Sequence, residues 1–175
     1  MKDRYVIDTN VLIAASAANP SDPKDIDATP AEPEQRMRVW NWLSEFQDSP
    51  SRMVLDRAGG IYSEYNNKLG FNDYGIQVVM HKWSTVAVDN VDVEYDAEGH
   101  GLLNPPLRDV IHDEADKKMV AAALDSHAQY GEGCVAFAGD TDWHDWEADL
   151  LASLVLLEPI IEDWSRQKHT EKQNR

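Results

Sequence analysis

The sequence is poor in cysteine and in long apolar runs, and each shortage excludes a class of protein. Cys134 is the one cysteine among 175 residues, so no internal disulfide can form and a reducing compartment is predicted. Because residues 135–137 beside it are apolar, we expect Cys134 to be a core residue and not a reactive thiol. The longest apolar run, residues 150–157, is far too short to span a bilayer, and no signal peptide is recognised. We therefore expect a cytoplasmic protein without a membrane segment.

Positive charge is also scarce. The chain has 16 lysines and arginines against 32 aspartates and glutamates, which gives a formal net charge of −16. Proteins that bind nucleic acid usually present a basic surface, so this charge argues against strong non-specific affinity for RNA or DNA. The charge is compatible with a protein that acts on nucleic acid if most acids lie on the outer surface and a few converge on a divalent cation.

Length and periodicity predict one α/β domain. The chain is long enough for a sizeable core, and 42% of its residues are apolar. Short apolar runs alternate with amphipathic helical segments, which predicts an α/β fold with a mostly parallel sheet. The predicted strands are residues 5–7, 53–55, 85–88, 134–138 and 154–157. The predicted helices are residues 11–18, 33–47, 61–69, 73–83, 112–129, 145–153 and 160–166.

Three stretches lack the periodicity of a helix or strand. Residues 19–34 contain four prolines among several acids, which predicts a loop that is either a functional flap or a mobile insertion. Residues 94–109 are polar and rich in glycine and proline, and we expect a second loop there. The polar tail, residues 167–175, is expected to be disordered, so the predicted domain covers residues 1–166.

The stretch from Tyr5 to Ile13 joins a strand, an acid and a helix. Residues 5–7 are all apolar, as in a strand covered on both faces, and Asp8 follows at the carboxyl end of that strand. Ligands of open α/β sheets bind at this edge, so we expect Asp8 to face a site. The alternative is that Asp8 only precedes the helix, which Thr9 or Asn10 can cap.

Three further acids occur where they can join Asp8. Glu64 and Asp116 lie on or beside the core-facing stripes of their helices, and Asp140 follows the apolar strand 134–138 directly. An acid on a core-facing stripe is costly unless it is paired, and no matching set of basic residues is nearby. Oxygen ligands without histidine or cysteine suit Mg²⁺ or Mn²⁺ better than zinc. The pattern therefore predicts a divalent-metal site.

The four acids and their surroundings resemble the PIN-domain family, whose members are metal-dependent nucleases and whose largest group is the toxin ribonucleases of VapC type. Asp8 matches the family's Asp-Thr/Ser-Asn motif after the first strand, and Glu64 matches a Glu early in the helix after the second. Asp116 matches an Asp that opens an Ala-rich helix, and Asp140 matches the first acid of a Gly-Asp-x-Asp turn. The resemblance covers residues 5–165.

This resemblance implies both a fold and an activity. The implied fold is a three-layer α/β/α sandwich whose parallel sheet has four to five strands in the order 3-2-1-4-5. The implied activity is Mg²⁺- or Mn²⁺-dependent hydrolysis of RNA phosphodiester bonds by an endoribonuclease. The implied catalytic and metal-binding residues are Asp8, Glu64, Asp116 and Asp140. A toxin–antitoxin pair, with an antitoxin protein as partner, and a homodimer are further implications, and residues 19–34 and 94–109 look like insertions relative to compact toxins.

Several neighbours have two interpretations each. Asp142 is a candidate for an extra metal ligand. The candidates for supporting or phosphate contacts are Thr9, Asn10, Thr141 and Lys117, with Lys118, Arg57 and Lys68 as further basic residues. Each is otherwise a turn residue, a helix cap or a solvated charge. Glu64 is alternatively a solvated helix flank. Asp113 competes with Asp116 as ligand, but we expect it to be an acid that the helix dipole favours.

Two other functions compete with the nuclease. A PIN-like domain that binds nucleic acid or a protein partner without cleaving it is consistent with the negative charge. A phosphatase of the haloacid-dehalogenase type would use Asp8 as nucleophile, with Asp140 and Asp145 for its metal. That family needs an acid two residues after the nucleophile, where this chain has Asn10, and an amide is no general acid.

Overall fold

The structure is a computed structural model that describes residues 1–22 and 26–174. Within these ranges the chain forms five strands and eight helices. The strands are β1 (Arg4–Ile7), β2 (Arg52–Asp56), β3 (Val88–Val91), β4 (Cys134–Phe137) and β5 (Leu156–Pro159). The helices are α1 (Thr9–Ala18), α2 (Pro33–Asp48), α3 (Gly60–Lys68), α4 (Tyr74–Ser84), α5 (Leu107–Val110), α6 (Glu114–Tyr130), α7 (Trp143–Ala152) and α8 (Glu162–Gln173). Part of the predicted Pro-rich loop, residues 23–25, and the last residue of the predicted tail lie outside the described ranges.

The sheet confirms the predicted topology. Its five strands are all parallel and run in the order β3-β2-β1-β4-β5, with helices packed against them as in a three-layer sandwich. The chain crosses from one edge, β3, to β4 beside β1, so the switch point lies between β1 and β4. In β1 and β4, Val6 pairs with Val135 and Ile7 with Ala136. The residues after these two strands therefore meet at one edge, where ligands of such sheets bind.

The core is built on the two central strands. Residues 5–7 of β1 are fully buried, and so are most residues of β4; Cys134 is buried among them, which confirms that it is a core residue. Helix α1 packs against α2 and α4, and α6 lies across β1, β2, β3 and β4. None of the helices within the described ranges is long and apolar enough to cross a membrane.

Two strands begin later than predicted, and one helix was missed. Strand β3 starts at Val88 and not at residue 85, because Thr85 ends α4, its hydroxyl donating to the His81 carbonyl, and Val86 turns the chain with φ 58°. Strand β5 likewise starts after Leu154, whose φ is 67°. The short helix α5 begins inside the predicted loop 94–109 and ends one residue beyond it.

The prediction of a disordered tail is also corrected, because α8 continues to Gln173. The side chains of this helix contact residues at and after the end of β4. His169 Nε2 lies 2.7 Å from Asp145 Oδ1, and Lys172 forms an ion pair with Asp142. Polar composition predicted disorder for residues 167–175, but these contacts to the start of α7 and the turn before it cannot be read from composition.

Candidate metal centre

Asp8 is buried directly after β1, and three hydrogen bonds hold its backbone N–H and its carboxylate. Its backbone N–H donates to the Ala136 carbonyl at 2.9 Å, which fixes it beside the end of β4. Its Oδ1 accepts from the Asn10 N–H at 3.1 Å, so Asp8 itself caps α1, in place of the predicted caps Thr9 or Asn10. Its Oδ2 accepts from Trp143 Nε1 at 3.3 Å. With only 3% of its surface exposed, Asp8 is both a helix cap and an acid held at the ligand-binding edge.

Asp116 carries the most unusual carboxyl group of the described chain. It lies in the first turn of α6 and is 8% exposed, and its Oδ2 is buried without a hydrogen-bond partner among the described residues. Burial raises its pKa to about 9, and the negative charges of Asp8 and Asp140 add to the rise. A buried carboxylate oxygen left without a donor is costly, so this position calls for a proton or a cation.

Asp113, the rival of Asp116, is confirmed as a helix-start residue. Its Oδ1 accepts from the Ala115 N–H at 2.7 Å and so caps α6. The side chain is exposed, and a negative charge at this end of a helix is favourable. Asp116 is therefore the acid of this helix that faces the site.

Asp140 follows β4 at the same edge as Asp8. Its Oδ1 accepts from the Asp142 N–H at 2.9 Å, which closes a tight turn. Burial raises the Asp140 pKa, as does the nearby charge of Asp142. The Asp142 carboxylate itself pairs with Lys172 of α8, so the structure gives Asp142 a turn and an ion pair.

Glu64 is not a solvated helix flank. Its Oε1 accepts a hydrogen bond from Thr9 Oγ1, and its Oε2 pairs with the ammonium of Lys118. Thr9, which follows Asp8 directly, thus links the first and second predicted acids. The negative charge of Glu64 also acts on both Asp8 and Asp116 by raising their pKa values.

The four acids form an electrostatic cluster. The pKa of Asp8 rises to about 7, mainly because the residue is buried and next because of Asp140. However, no three of these acids bring one oxygen each within 4.8 Å of one another; among the described residues that spacing occurs at Asp96, Glu98 and His100. The cluster is therefore an open arrangement of carboxylates and not a closed coordination shell.

The open arrangement fits a hydrated Mg²⁺ or Mn²⁺. Mg²⁺ usually keeps several waters and binds proteins through one or two carboxylates, so it does not need three converging oxygens. Asp8, Asp116 and Asp140 offer oxygen atoms only, and the unpartnered Asp116 Oδ2 has the lone pairs that a cation would use. A bound cation would also relieve the repulsion that raises these pKa values.

The predicted supporting residues differ in how close they come to the acids. Asn10 reaches Asp8 through its backbone N–H alone, and the carbonyl of Thr141 accepts from the His144 N–H at the start of α7. Lys117 pairs with Glu114 at 2.8 Å, an acid that is not among the predicted site residues. Its neighbour Lys118, and not Lys117, is the lysine that contacts a predicted site acid.

Sequence reasoning missed the roles of Lys118 and Trp143. In the helical period of α6, position 118 lies opposite the core-facing stripe, which predicts exposure. The 94–109 loop covers it instead: a Cβ added to Gly101 would lie 2.5 Å from the Lys118 Cα. Trp143 had one signal, its place directly after the Asp140–Asp142 turn, but nothing in the sequence shows that its indole N–H reaches Asp8.

Both predicted loops flank the acid cluster. A Cβ added to Gly139 would lie 2.2 Å from the Thr29 carbonyl oxygen, so the Pro-rich segment packs directly beside Asp140. A cleft of about 440 Å³ opens there between that segment and α8, whose Trp164, Lys168 and Lys172 line its far wall. On the other side, Gly101 packs against α6 at Lys118. The Pro-rich segment, for which the sequence left a functional flap or an insertion open, therefore borders the site at Asp140.

Comparisons with known proteins do not identify the chain: no protein-family model, no curated protein and no solved structure matches it. The resemblance to the PIN-domain family is therefore carried by the four acids and their local motifs alone.

Proposed function

We propose that the protein is a metal-dependent endoribonuclease whose Mg²⁺ or Mn²⁺ binds at Asp8, Asp116 and Asp140. The observation that supports this most is the buried Asp116 Oδ2, which has no partner in the described chain and lies in a cluster of mutually repelling acids. A divalent ion there would stabilise negative charge on phosphate oxygens and make a bound water more acidic.

The surrounding residues hold these acids in place for such a role. Trp143 and the Asn10 N–H fix both oxygens of Asp8, and the Asp142 N–H fixes Asp140. Thr9 orients Glu64. Catalytic groups that are locked by such contacts need little reorganisation when the substrate binds.

The negative surface leaves few places where RNA can be attracted. Lys168 and Lys172 line the cleft beside Asp140, although each is paired with an acid, Glu171 and Asp142 respectively. RNA contacts confined to this edge would give weak affinity for nucleic acid in general and leave selectivity to the site. A toxin role, an antitoxin partner, a homodimer and a cytoplasmic location rest on the resemblance and the composition.

A PIN-like module that binds a partner without cleaving is the second candidate. The wide spacing of the four acids and the net charge of −16 favour it. The phosphatase alternative loses support, because Asp145 Oδ1 accepts from Gln173 Nε2 at 2.9 Å and lies 2.7 Å from His169 Nε2, both on α8. Asn10 still stands where that family's general acid belongs.

A cleavage assay on mixed single-stranded RNA and DNA, with Mn²⁺ or with a chelator, tests the proposal. We expect RNA cleavage with Mn²⁺ and none with chelator, and a loss of orders of magnitude in Asp8→Asn and Asp140→Asn, because each removes a charged ligand. Asp3→Asn is the matched control, since Asp3 is exposed just before β1, at the opposite end of the strand from Asp8. Metal binding without cleavage would favour the binding module, and phosphate release from small monoesters the phosphatase.

A further inference from the structure

Lys118 is a buried cation at the Glu64 side of the acid cluster. Only 8% of its surface is exposed, and its ammonium pairs with Glu64 Oε2 and donates to the Ala115 carbonyl at 2.8 Å. Gly101 of the 94–109 loop packs against its backbone from the other side. The charge of Glu64 is therefore compensated by the protein itself.

The other three acids have no such partner within the described ranges. Asp8 accepts from the Trp143 indole and the Asn10 N–H, which are neutral donors. Asp140 accepts from a backbone N–H, and Lys172 lowers the Asp140 pKa only from its position on Asp142. Asp116 Oδ2 has no donor in this part of the chain. Within the described ranges, one acid of the cluster, Glu64, is therefore paired with a protein cation, and the other three acids are not.

We propose that the site takes a single divalent cation, at Asp8, Asp116 and Asp140, and that the Lys118 ammonium takes the place of a second cation at Glu64. This inference rests on the proposed function, because it concerns how many ions the same acids hold. Lys118 is then a positioning residue that holds Glu64 and supplies a fixed positive charge beside the metal.

The surroundings of Lys118 explain why a second ion would be excluded. A divalent ion at Glu64 would have to displace an ammonium that a carboxylate and a carbonyl both hold, and it would meet a like charge at close range. The ammonium is held away from water, because Lys118 is buried and the 94–109 loop packs against its backbone. Lysine is also a common point-charge partner of phosphate, so a fixed ammonium here suits a phosphodiester substrate.

The test is a Mn²⁺ titration by calorimetry on the full chain without RNA, comparing wild type, Lys118→Met and Lys117→Met. We expect one ion in wild type and in Lys117→Met, whose ammonium pairs outside the cluster, and two ions in Lys118→Met, because Glu64 is then free to bind metal. Two ions in wild type, or one ion with unchanged affinity in Lys118→Met, would overturn the inference and leave the proposed function standing. No Mn²⁺ binding in wild type would overturn both.

A second variant covers the case in which Lys118→Met does not fold. Glu64→Gln should still bind one ion, because that ion uses only the other three acids. Loss of one of two ions in Glu64→Gln would show a two-ion site and contradict the inference. A kinetic readout adds to this: cleavage by Lys118→Met should depend more steeply on Mn²⁺ than cleavage by wild type and recover at high Mn²⁺, where a second ion replaces the lost ammonium.

Discussion

Replacing Asp116 by asparagine should stabilise the metal-free protein, which is the opposite of what most core substitutions do. The structural reason is the raised pKa of Asp116. An unperturbed aspartate has a pKa of 3.8, and in the folded chain the pKa of Asp116 is about 9. At pH 7 the folded protein must hold a proton that the unfolded chain releases. At 1.36 kcal/mol for each tenfold change in proton affinity, this lowers stability by at most about 4 kcal/mol.

The pH dependence follows from the direction of this shift. Because the folded pKa lies above the unfolded one, the stability that belongs to this group is fully present below about pH 4 and is lost as the pH rises toward 9. An asparagine has no proton to hold and loses nothing over this range. The difference in melting temperature between Asp116→Asn and wild type should therefore grow steadily from pH 5 to pH 8.

The expected gain is smaller than the upper bound, because neighbouring acids share the repulsion and relax when one charge is removed. We expect about 1–2 kcal/mol, since contributions of interacting groups do not add. For a domain of this size each kcal/mol moves the melting temperature by about 2–4 °C, so the metal-free variant should melt about 2–8 °C higher at pH 7. Asp3→Asn is the matched control, because Asp3 is exposed before β1 and is not among the charges that raise the Asp116 pKa.

Metal should reverse this order. A ligand that binds only the folded state at a hundredfold excess over its Kd adds about 2.7 kcal/mol, so saturating Mn²⁺ should raise the wild-type melting temperature by roughly 5–10 °C. The shift should shrink in Asp116→Asn, which lacks one ligand charge. Thermal melts of both proteins with chelator and with Mn²⁺ decide the matter. A wild type without any Mn²⁺ shift, together with an Asp116→Asn that is simply less stable in chelator, would refute the metal-site reasoning.

Further predictions concern the loop, the indole and the protons at the site. Replacing residues 20–27 by a short Gly/Ser linker should change KM or substrate choice more than melting temperature, because the Pro-rich segment borders Asp140 at Gly139. Identical kinetics on all RNAs would show that the segment is an insertion without a role in substrate binding. Trp143→Phe removes a donor that lowers the Asp8 pKa, so Mn²⁺ binding should need a higher pH than in wild type, and an unchanged pH profile would count against this contact. Mn²⁺ binding at pH 7 should release protons, because the pKa values of Asp8 and Asp116 are about 7 and about 9. Calorimetry in buffers of different ionisation enthalpy measures how many protons are released, and a release of none would contradict the raised pKa values.

The central part of the fold could be predicted because its signals are local. A buried strand followed by an acid fixes where Asp8 and Asp140 lie once both strands are parallel and adjacent, and the switch point then brings the two together. Strand β3 was misplaced because its sequence contains Asp89 and Asn90, which are poor strand formers. Asp89 is tolerated there because it pairs with Arg52 of the adjacent strand β2 and with Arg4 of β1, contacts that the sequence does not reveal.

The candidate site was predictable to the level of its acids but not of their partners. Helical periodicity places Asp116 with the core, and the resemblance adds Glu64. Neither shows which cation lies beside these two acids. The burial of Lys118 depends on a loop that returns across α6 from a distant part of the chain, and the length of α8 depends on contacts with Asp142 and Asp145. Such contacts are decided by tertiary packing, which patterns within one element cannot predict.

The position of the metal ion is the measurement that tests this account most directly. An anomalous difference map from crystals soaked in Mn²⁺ should show one peak beside the Asp116 carboxylate, within reach of Asp8 and Asp140 directly or through water. The loop cluster of Asp96, Glu98 and His100, whose ligand atoms lie closer together, provides a built-in comparison in the same crystal. A peak at that loop with none beside Asp116 would contradict the claim that Asp8, Asp116 and Asp140 form the metal centre.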